Sequence, residues 1–262
     1  MTDEEDLITV SNLTMAYGGR VIQREINFSI ARGDVFIIMG GSGCGKSTLL
    51  RHMIGLAIPA SGEILIEGKN FFSAGDEEQK AMRRNWGITY QSGGLFSDLT
   101  LGENVAVPLQ QYTAFTDGEI RDLVDYKLAL VGLYGYQAYY PGEISGGMQK
   151  RAALARAIAL DPAILFFDEP SAGLDPLSSR RLDELIVEIS ASIGGTVVIV
   201  THELASIFSI ATNAVFLDAE SHTQLDVGSP RHLVENSRHA VVRQFLSRGN
   251  AMPVAIGGER NP

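Results

Sequence analysis

Three short segments of this chain carry residue types that can handle phosphate and water. The first, Gly40-Gly41-Ser42-Gly43-Cys44-Gly45-Lys46-Ser47, fits the spacing G-x-x-x-x-G-K-[ST]. Glycines let a backbone wrap tightly enough to aim its N–H groups at phosphate oxygens, and a helix beginning at the end of the loop adds its positive pole. Lys46 would bind the β- and γ-phosphates there and the Ser47 hydroxyl would ligate Mg²⁺, while Thr48 beside it would join the nucleotide-binding loop. The second segment, Ile164-Leu165-Phe166-Phe167-Asp168-Glu169, is an apolar run ending in two carboxylates. A buried strand of this kind brings acid to the sheet edge beside the phosphate loop. Asp168 would help hold Mg²⁺, and Glu169 would polarise an attacking water as general base. The third, Ser145-Gly146-Gly147, precedes an Ala/Leu/Arg-rich stretch. Ser145 stands where an N-cap belongs and the glycines expose backbone N–H groups, which makes a second anion site.

The segments around these motifs alternate between strand and helix patterns. Val35 to Met39 is a continuous apolar run, the mark of a strand buried on both faces, and Lys46 to Ile54 has helical spacing. Ile8 to Ile30 reads as short strands turning at Gly18-Gly19, and Gly62 to Gly68 as a half-exposed strand. Asp76 to Arg84 reads as a charged helix and Gly87 to Tyr90 as a strand. From Ser92 to Leu160 the β pattern disappears; Asp117–Leu130 and Met148–Leu160 read as helices, the second ended by Pro162. Strands return at Ile164–Phe167, Thr196–Val200 and Val215–Leu217, separated by helices over Ser178–Ser192 and Glu203–Ile210. Such alternation predicts a mostly parallel α/β sheet with a helical block inserted between two of its strands.

The 262 residues carry a net charge of −10, and their cations are scattered doublets, so nucleic acid is not an expected partner. The single cysteine, Cys44, excludes an internal disulfide and fits a reducing cytosol. No apolar run is long enough to span a bilayer, and the start Met-Thr-Asp-Glu-Glu-Asp is unlike a basic signal sequence. A protein that stays soluble where it is made is therefore expected, with residues 1–6 an acidic tail and 249–262 disordered.

The two phosphate motifs, with Ser145-Gly146-Gly147 lying 23 residues ahead of Asp168, resemble those of the ATP-binding cassette (ABC) ATPases. The resemblance covers residues 7–248. It implies a P-loop NTPase fold: a mostly parallel core sheet, an antiparallel β subdomain, and a helical subdomain inserted over 92–160. It also implies ATP hydrolysis with Mg²⁺, and roles for further positions. Tyr17 matches the aromatic on which adenine stacks. Gln91 matches the glutamine that touches Mg²⁺ and the attacking water, and His202 the histidine at the γ-phosphate. Ser171-Ala172-Gly173-Leu174-Asp175 matches the loop that crosses to a second subunit. In that family two cassettes pack head to tail, with ATP between the phosphate loop of one and Ser145–Gly147 of the other, so a homodimer is implied. The usual Leu-Ser-Gly-Gly-Gln is Ile144-Ser145-Gly146-Gly147-Met148 here, so Met148 cannot make any contact that the glutamine amide would.

Tyr90 to Thr100, Glu103-Asn104-Val105, Gly146-Gly147-Met148 and Val241-Val242-Arg243-Gln244-Phe245-Leu246 resemble the cassettes of Mla/Mce-type lipid transporters. The implied setting is the cytoplasmic face of an inner membrane. There the chain would be peripheral, joined by Mce-domain and small accessory subunits and held by a permease seated near Gly93–Phe96, where the glycines would give flexibility and Leu95 and Phe96 apolar surface. A small-solute importer, a cell-division cassette or an iron–sulfur assembly scaffold would share the same catalytic residues and stays open at this point.

Overall fold

The computed structural model describes residues 6–248. The two expected tails lie outside the described residues, except that Asp6 opens the first strand. The chain begins with β1 (Asp6–Tyr17), β2 (Arg20–Ala31), β3 (Val35–Gly40), α1 (Lys46–Met53), β4 (Ser61–Ile66) and β5 (Lys69–Asn70). It continues through α2 (Asp76–Arg84), β6 (Trp86–Thr89), α3 (Leu101–Tyr112), α4 (Asp117–Leu130) and α5 (Gly146–Ala157). The remainder is β7 (Ile164–Asp168), α6 (Pro176–Ile193), β8 (Thr196–Val200), α7 (Leu204–Ile210), β9 (Asn213–Leu217), β10 (Gln224–Gly228), α8 (Pro230–Asn236) and α9 (Ala240–Ser247).

Two sheets form. One is antiparallel, in the order β2-β1-β4-β5; the other has six strands in the order β10-β9-β3-β8-β7-β6. Within the second, β9, β3, β8, β7 and β6 run parallel, and only the edge strand β10 is antiparallel. All six residues of β3 are buried because it is central and covered on both faces. Its period of two divides the cores: Val35, Ile37 and Met39 join the helix-side core, whereas Phe36 and Ile38 join the core shared with α1 and the antiparallel sheet. β7 and β8 divide in the same way, so α1 is clamped between two sheets.

The helical block is bounded by local chemistry. Thr100 with Glu103, and Thr116 with Glu119, form reciprocal capping boxes that start α3 and α4. Helix α5 starts at Gly146, two residues before the expected Met148, because the Ser145 hydroxyl accepts from the Met148 N–H. It ends at Ala157, short of Leu160: Asp161, at φ 48°, has already turned the chain before Pro162 is reached. That turn carries an ion pair. Lys127 of α4, only 2% exposed, donates to Asp161 at 2.5 Å and ties the helical block to the entry of β7.

Removing one partner of such a pair strands a buried charge. Asp161→Asn, which tolerates the left-handed backbone but loses the charge, should lower the unfolding free energy in urea by about 2–3 kcal/mol. Lys127→Met, which leaves no buried charge, should cost less than about 1 kcal/mol.

Candidate active site

The phosphate loop leaves the sheet at Gly40. A Cβ here would stand 2.2 Å from the Leu217 carbonyl oxygen of β9 and 2.8 Å from Cys44 Sγ, so only glycine fits. Gly45, at φ 97°, caps α1 without a side-chain bond and leaves the first amides of the helix open to an anion. Lys46 is buried, and its Nζ donates to the Gly40 and Gly41 carbonyls at 3.1 and 3.0 Å. An ammonium has three donors, so one remains for a ligand.

Beyond the loop, Ser47 Oγ donates to Asp168 Oδ1 at 2.8 Å, bringing the first motif against the second. Burial pushes the Asp168 carboxyl above its ordinary value; the Ser47 bond pulls it back and neighbouring Glu169 adds to the rise. Glu169 follows β7 at φ 48°, its N–H bonded to the Val200 carbonyl of β8. Its carboxylate is held from two sides. Gln91 Nε2 donates to Oε2 at 3.1 Å, and His202 Nδ1 lies 2.9 Å from Oε1. Lys150 of α5 donates to the Gln91 carbonyl. The result is a cleft of about 760 Å³ lined by Gly40–Gly43, Gly45–Thr48, Gln91, Glu169 and His202. It can cradle a polyphosphate and present a fixed carboxylate to a water beside the terminal phosphate.

The other expected site residues lie elsewhere. Tyr17 is half exposed at the end of β1, outside the cleft lining. Ser145 and Gly147 line a separate pocket of about 540 Å³ with Arg151, Leu174, Ser178 and Arg181. Asp175 caps α6, accepting from the Leu177 and Ser178 amides, both at 3.1 Å. The Ser178 side chain first, and then these amides, hold its carboxyl below the usual range. Near the expected permease seat, Gly93 and Gly94 have positive φ and their carbonyls accept from Arg156. Phe96 is 53% exposed, over a groove that Trp86, Tyr90 and Tyr112 also line. Leu95, expected at the surface, instead packs against the helix-side core.

Several contributors were not assigned to the site from the sequence, although Phe245 lies in the family-like segment Val241–Leu246. Ile22, Leu204, Phe245 and Arg248 complete the cleft. Gln23, fully buried, braces the loop: its Nε2 donates to the Cys44 carbonyl at 2.7 Å and the Asp218 carbonyl at 2.8 Å. The irregular pairing of β1 with β2 turns this polar residue inward against the alternation of its strand.

Fold and site together define a nucleotide-binding α/β protein of the phosphate-loop class. Comparison with known proteins narrows this. A family model described as "ABC transporter" matches residues 23–172. Over 250 residues the chain is 39% identical to the intermembrane phospholipid transport system ATP-binding protein MlaF of Haemophilus influenzae, covering 95% of this chain and 94% of that protein. Over 254 residues it is 40% identical to the probable ribonucleotide transport ATP-binding protein mkl of Mycobacterium tuberculosis, covering 97% of this chain and 70% of that one. Among solved structures it resembles the dimeric ATP-binding cassette MJ0796 bound to ADP and Pi, with a TM-score of 0.76 and 29% identity, over 85% of this chain and 98% of that one. The chain belongs to the ABC transporter family and is the ATP-binding cassette of such a transporter.

Cys44 sits inside the loop, and burial raises its thiol pKa more than nearby Lys46 lowers it. Iodoacetamide at pH 7.5 should therefore alkylate the native chain on the order of a hundredfold more slowly than the urea-unfolded chain. Equal rates would contradict the buried geometry.

Proposed function

We propose that this cassette hydrolyses Mg-ATP to drive phospholipid transport by a membrane permease, working as a homodimer in which each ATP is shared by two copies. The observation that carries the hydrolytic reading is the Glu169 carboxylate, clasped by Gln91 and His202 at the mouth of the phosphate loop. The backbone of Gly41–Ser47 and the Lys46 ammonium would bind the phosphates. Glu169 would take the proton of the attacking water while His202 keeps its carboxylate oriented and meets the γ-phosphate. Tyr17, exposed at the strand end, would offer its ring to adenine.

The donors here suit Mg²⁺. Ser47 Oγ and Asp168 Oδ1 are hard oxygens already 2.8 Å apart, and the Gln91 carbonyl-type oxygen is a third. Among the described residues no three His, Cys, Asp or Glu converge on one point. A few protein oxygens, with phosphate and water supplying the rest, are the usual way Mg²⁺ is held in such sites. When bound, the ion would neutralise phosphate charge.

Sharing of the site rests on the separation of the two anion-binding segments. Ser145–Gly147 opens into a different pocket from the phosphate loop, so a second copy is needed to bring it to a nucleotide. Asp175, fixed as the α6 cap, would shape the loop that meets that copy. A phospholipid cargo is supported by the similarity to MlaF, which spans nearly the full length of both proteins. Ribonucleotide, the cargo in the description of mkl, is the second reading. Among the described residues no helix is long and apolar enough to cross a membrane. Attachment to the cytoplasmic face would thus come through the permease, with Mce-domain and small accessory subunits completing the assembly.

Glu169→Gln should retain ATP binding while turnover falls about 10²–10⁴-fold; undiminished hydrolysis removes Glu169 as base. Mixing Lys46→Ala with Ser145→Arg chains should restore activity, because each mixed dimer keeps one intact composite site. Failure of the mixture argues against sharing. Isolation of the chain from detergent extract should bring a polytopic permease with bound phospholipid; a permease carrying ribonucleotide instead would favour the second reading.

A further inference from the structure

Helices α6 and α7 stand behind the clasped carboxylate. α6 grows from Asp175, at the end of the loop that follows Glu169, and α7 begins two residues after His202. Both contribute to the helix-side core through Leu182, Ile186 and Ile207. Apolar contact alone would allow the pair to slide, because it has no preferred direction. Two hydrogen bonds remove that freedom. Ser179 Oγ of α6 donates to Glu203 Oε2 at 3.0 Å, and Ser206 Oγ of α7 donates to Asp183 Oδ2 at 2.5 Å.

Ser179, Asp183 and Ser206 are all buried, Asp183 to 4% exposure. Burial, reinforced by Glu203 and Glu184 and opposed by the Ser206 bond, pushes the Asp183 carboxyl up to about 6. Among the described residues neither Asp183 nor Glu203 has a Lys, Arg or His nitrogen within 4.0 Å. An apolar pair of the same shape would have been cheaper to bury. The polar pair supplies direction instead, and it does so next to His202. Glu203 is pinned three ways: by Ser179 at its carboxylate, by Thr201 Oγ1 at its N–H (3.1 Å), and by Ile207 N at its carbonyl (3.0 Å). None of Ser179, Asp183 and Ser206 lines the nucleotide cleft.

We propose that Ser179, Asp183 and Ser206 are positioning residues for hydrolysis: the clasp fixes residues 201–206 against α6, keeping His202 on Glu169. This rests on the roles of Glu169 and His202 proposed above.

The test is steady-state ATPase of the purified full chain, with binding of a non-hydrolysable ATP analogue and thermal melting measured in parallel. The double variant Asp183→Leu/Ser206→Ala leaves no orphaned polar group and should melt within about 3 °C of wild type. Its kcat should fall about tenfold, with KM for ATP and analogue affinity within about twofold. Asp183→Asn, which still accepts from Ser206, should keep at least about half of the wild-type kcat. If the double variant does not fold, Ser179→Ala decides, with an expected loss of about threefold in kcat alone. The clasp is overturned if kcat stays within twofold in the variant that decides, if KM rises as much as kcat falls, or if Asp183→Asn is as slow as the double variant. Glu169→Gln separates the two ideas. A Glu169→Gln chain as active as wild type defeats the hydrolytic reading itself, whereas an inactive one beside an unaffected clasp variant defeats only the clasp.

Discussion

The close approach of Gly40 to the Leu217 carbonyl is the constraint on which the site depends. β3 pairs with β8 on one side and with β9 on the other, and the β9 ladder ends at the Gly40–Leu217 pair. The loop must therefore turn away from the sheet at that residue, with no room for a side chain. Every other placement inherits this. α1 starts six residues later and is clamped between two sheets, so Ser47 meets Asp168 at the end of β7. The register that pairs Asp168 with Val200 then brings Glu169 and His202 out at the same edge.

Electrostatics at this edge are arranged by what each charge is bonded to. Lys46 is buried but spends two donors on carbonyls of its own loop, so it stays satisfied before any phosphate arrives. Asp168 is destabilised by burial and partly relieved by a hydroxyl, a condition that a cation beside it would relieve further. Glu169 is held by an amide and an imidazole, with no Lys or Arg nitrogen within 4.0 Å of it among the described residues. One chain thus carries a phosphate loop with a clasped carboxylate in one cleft and, in another pocket, a glycine-rich helix start.

Much of this was legible before the structure. The buried parallel strands announce themselves as apolar runs, and β8 spans the expected Thr196–Val200. α2 and α4 match their expected spans because charge pattern and capping chemistry are local. β10, α8 and α9 were not legible. β10 is only partly buried along its length, and α8 and α9 are single short amphipathic segments whose burial depends on the sheet edge they cover. Leu95 and Phe96 were read together as surface, yet adjacent residues after a pair of left-handed glycines point in different directions.

The residues alone pointed to the chemistry: which of them could bind phosphate, which carboxylate could act on water, and in what order strand, loop and helix had to come. These follow from local rules of spacing, side-chain type and backbone freedom. The convergence of Gln91 and His202 on one carboxylate, by contrast, comes from the packing of the whole chain. The same packing makes Gln23 brace the loop from another sheet and opens the two glycine-rich segments into different pockets. Those facts depend on which strands become neighbours and in what register, and that is settled by the packing of the whole sheet rather than by any one segment.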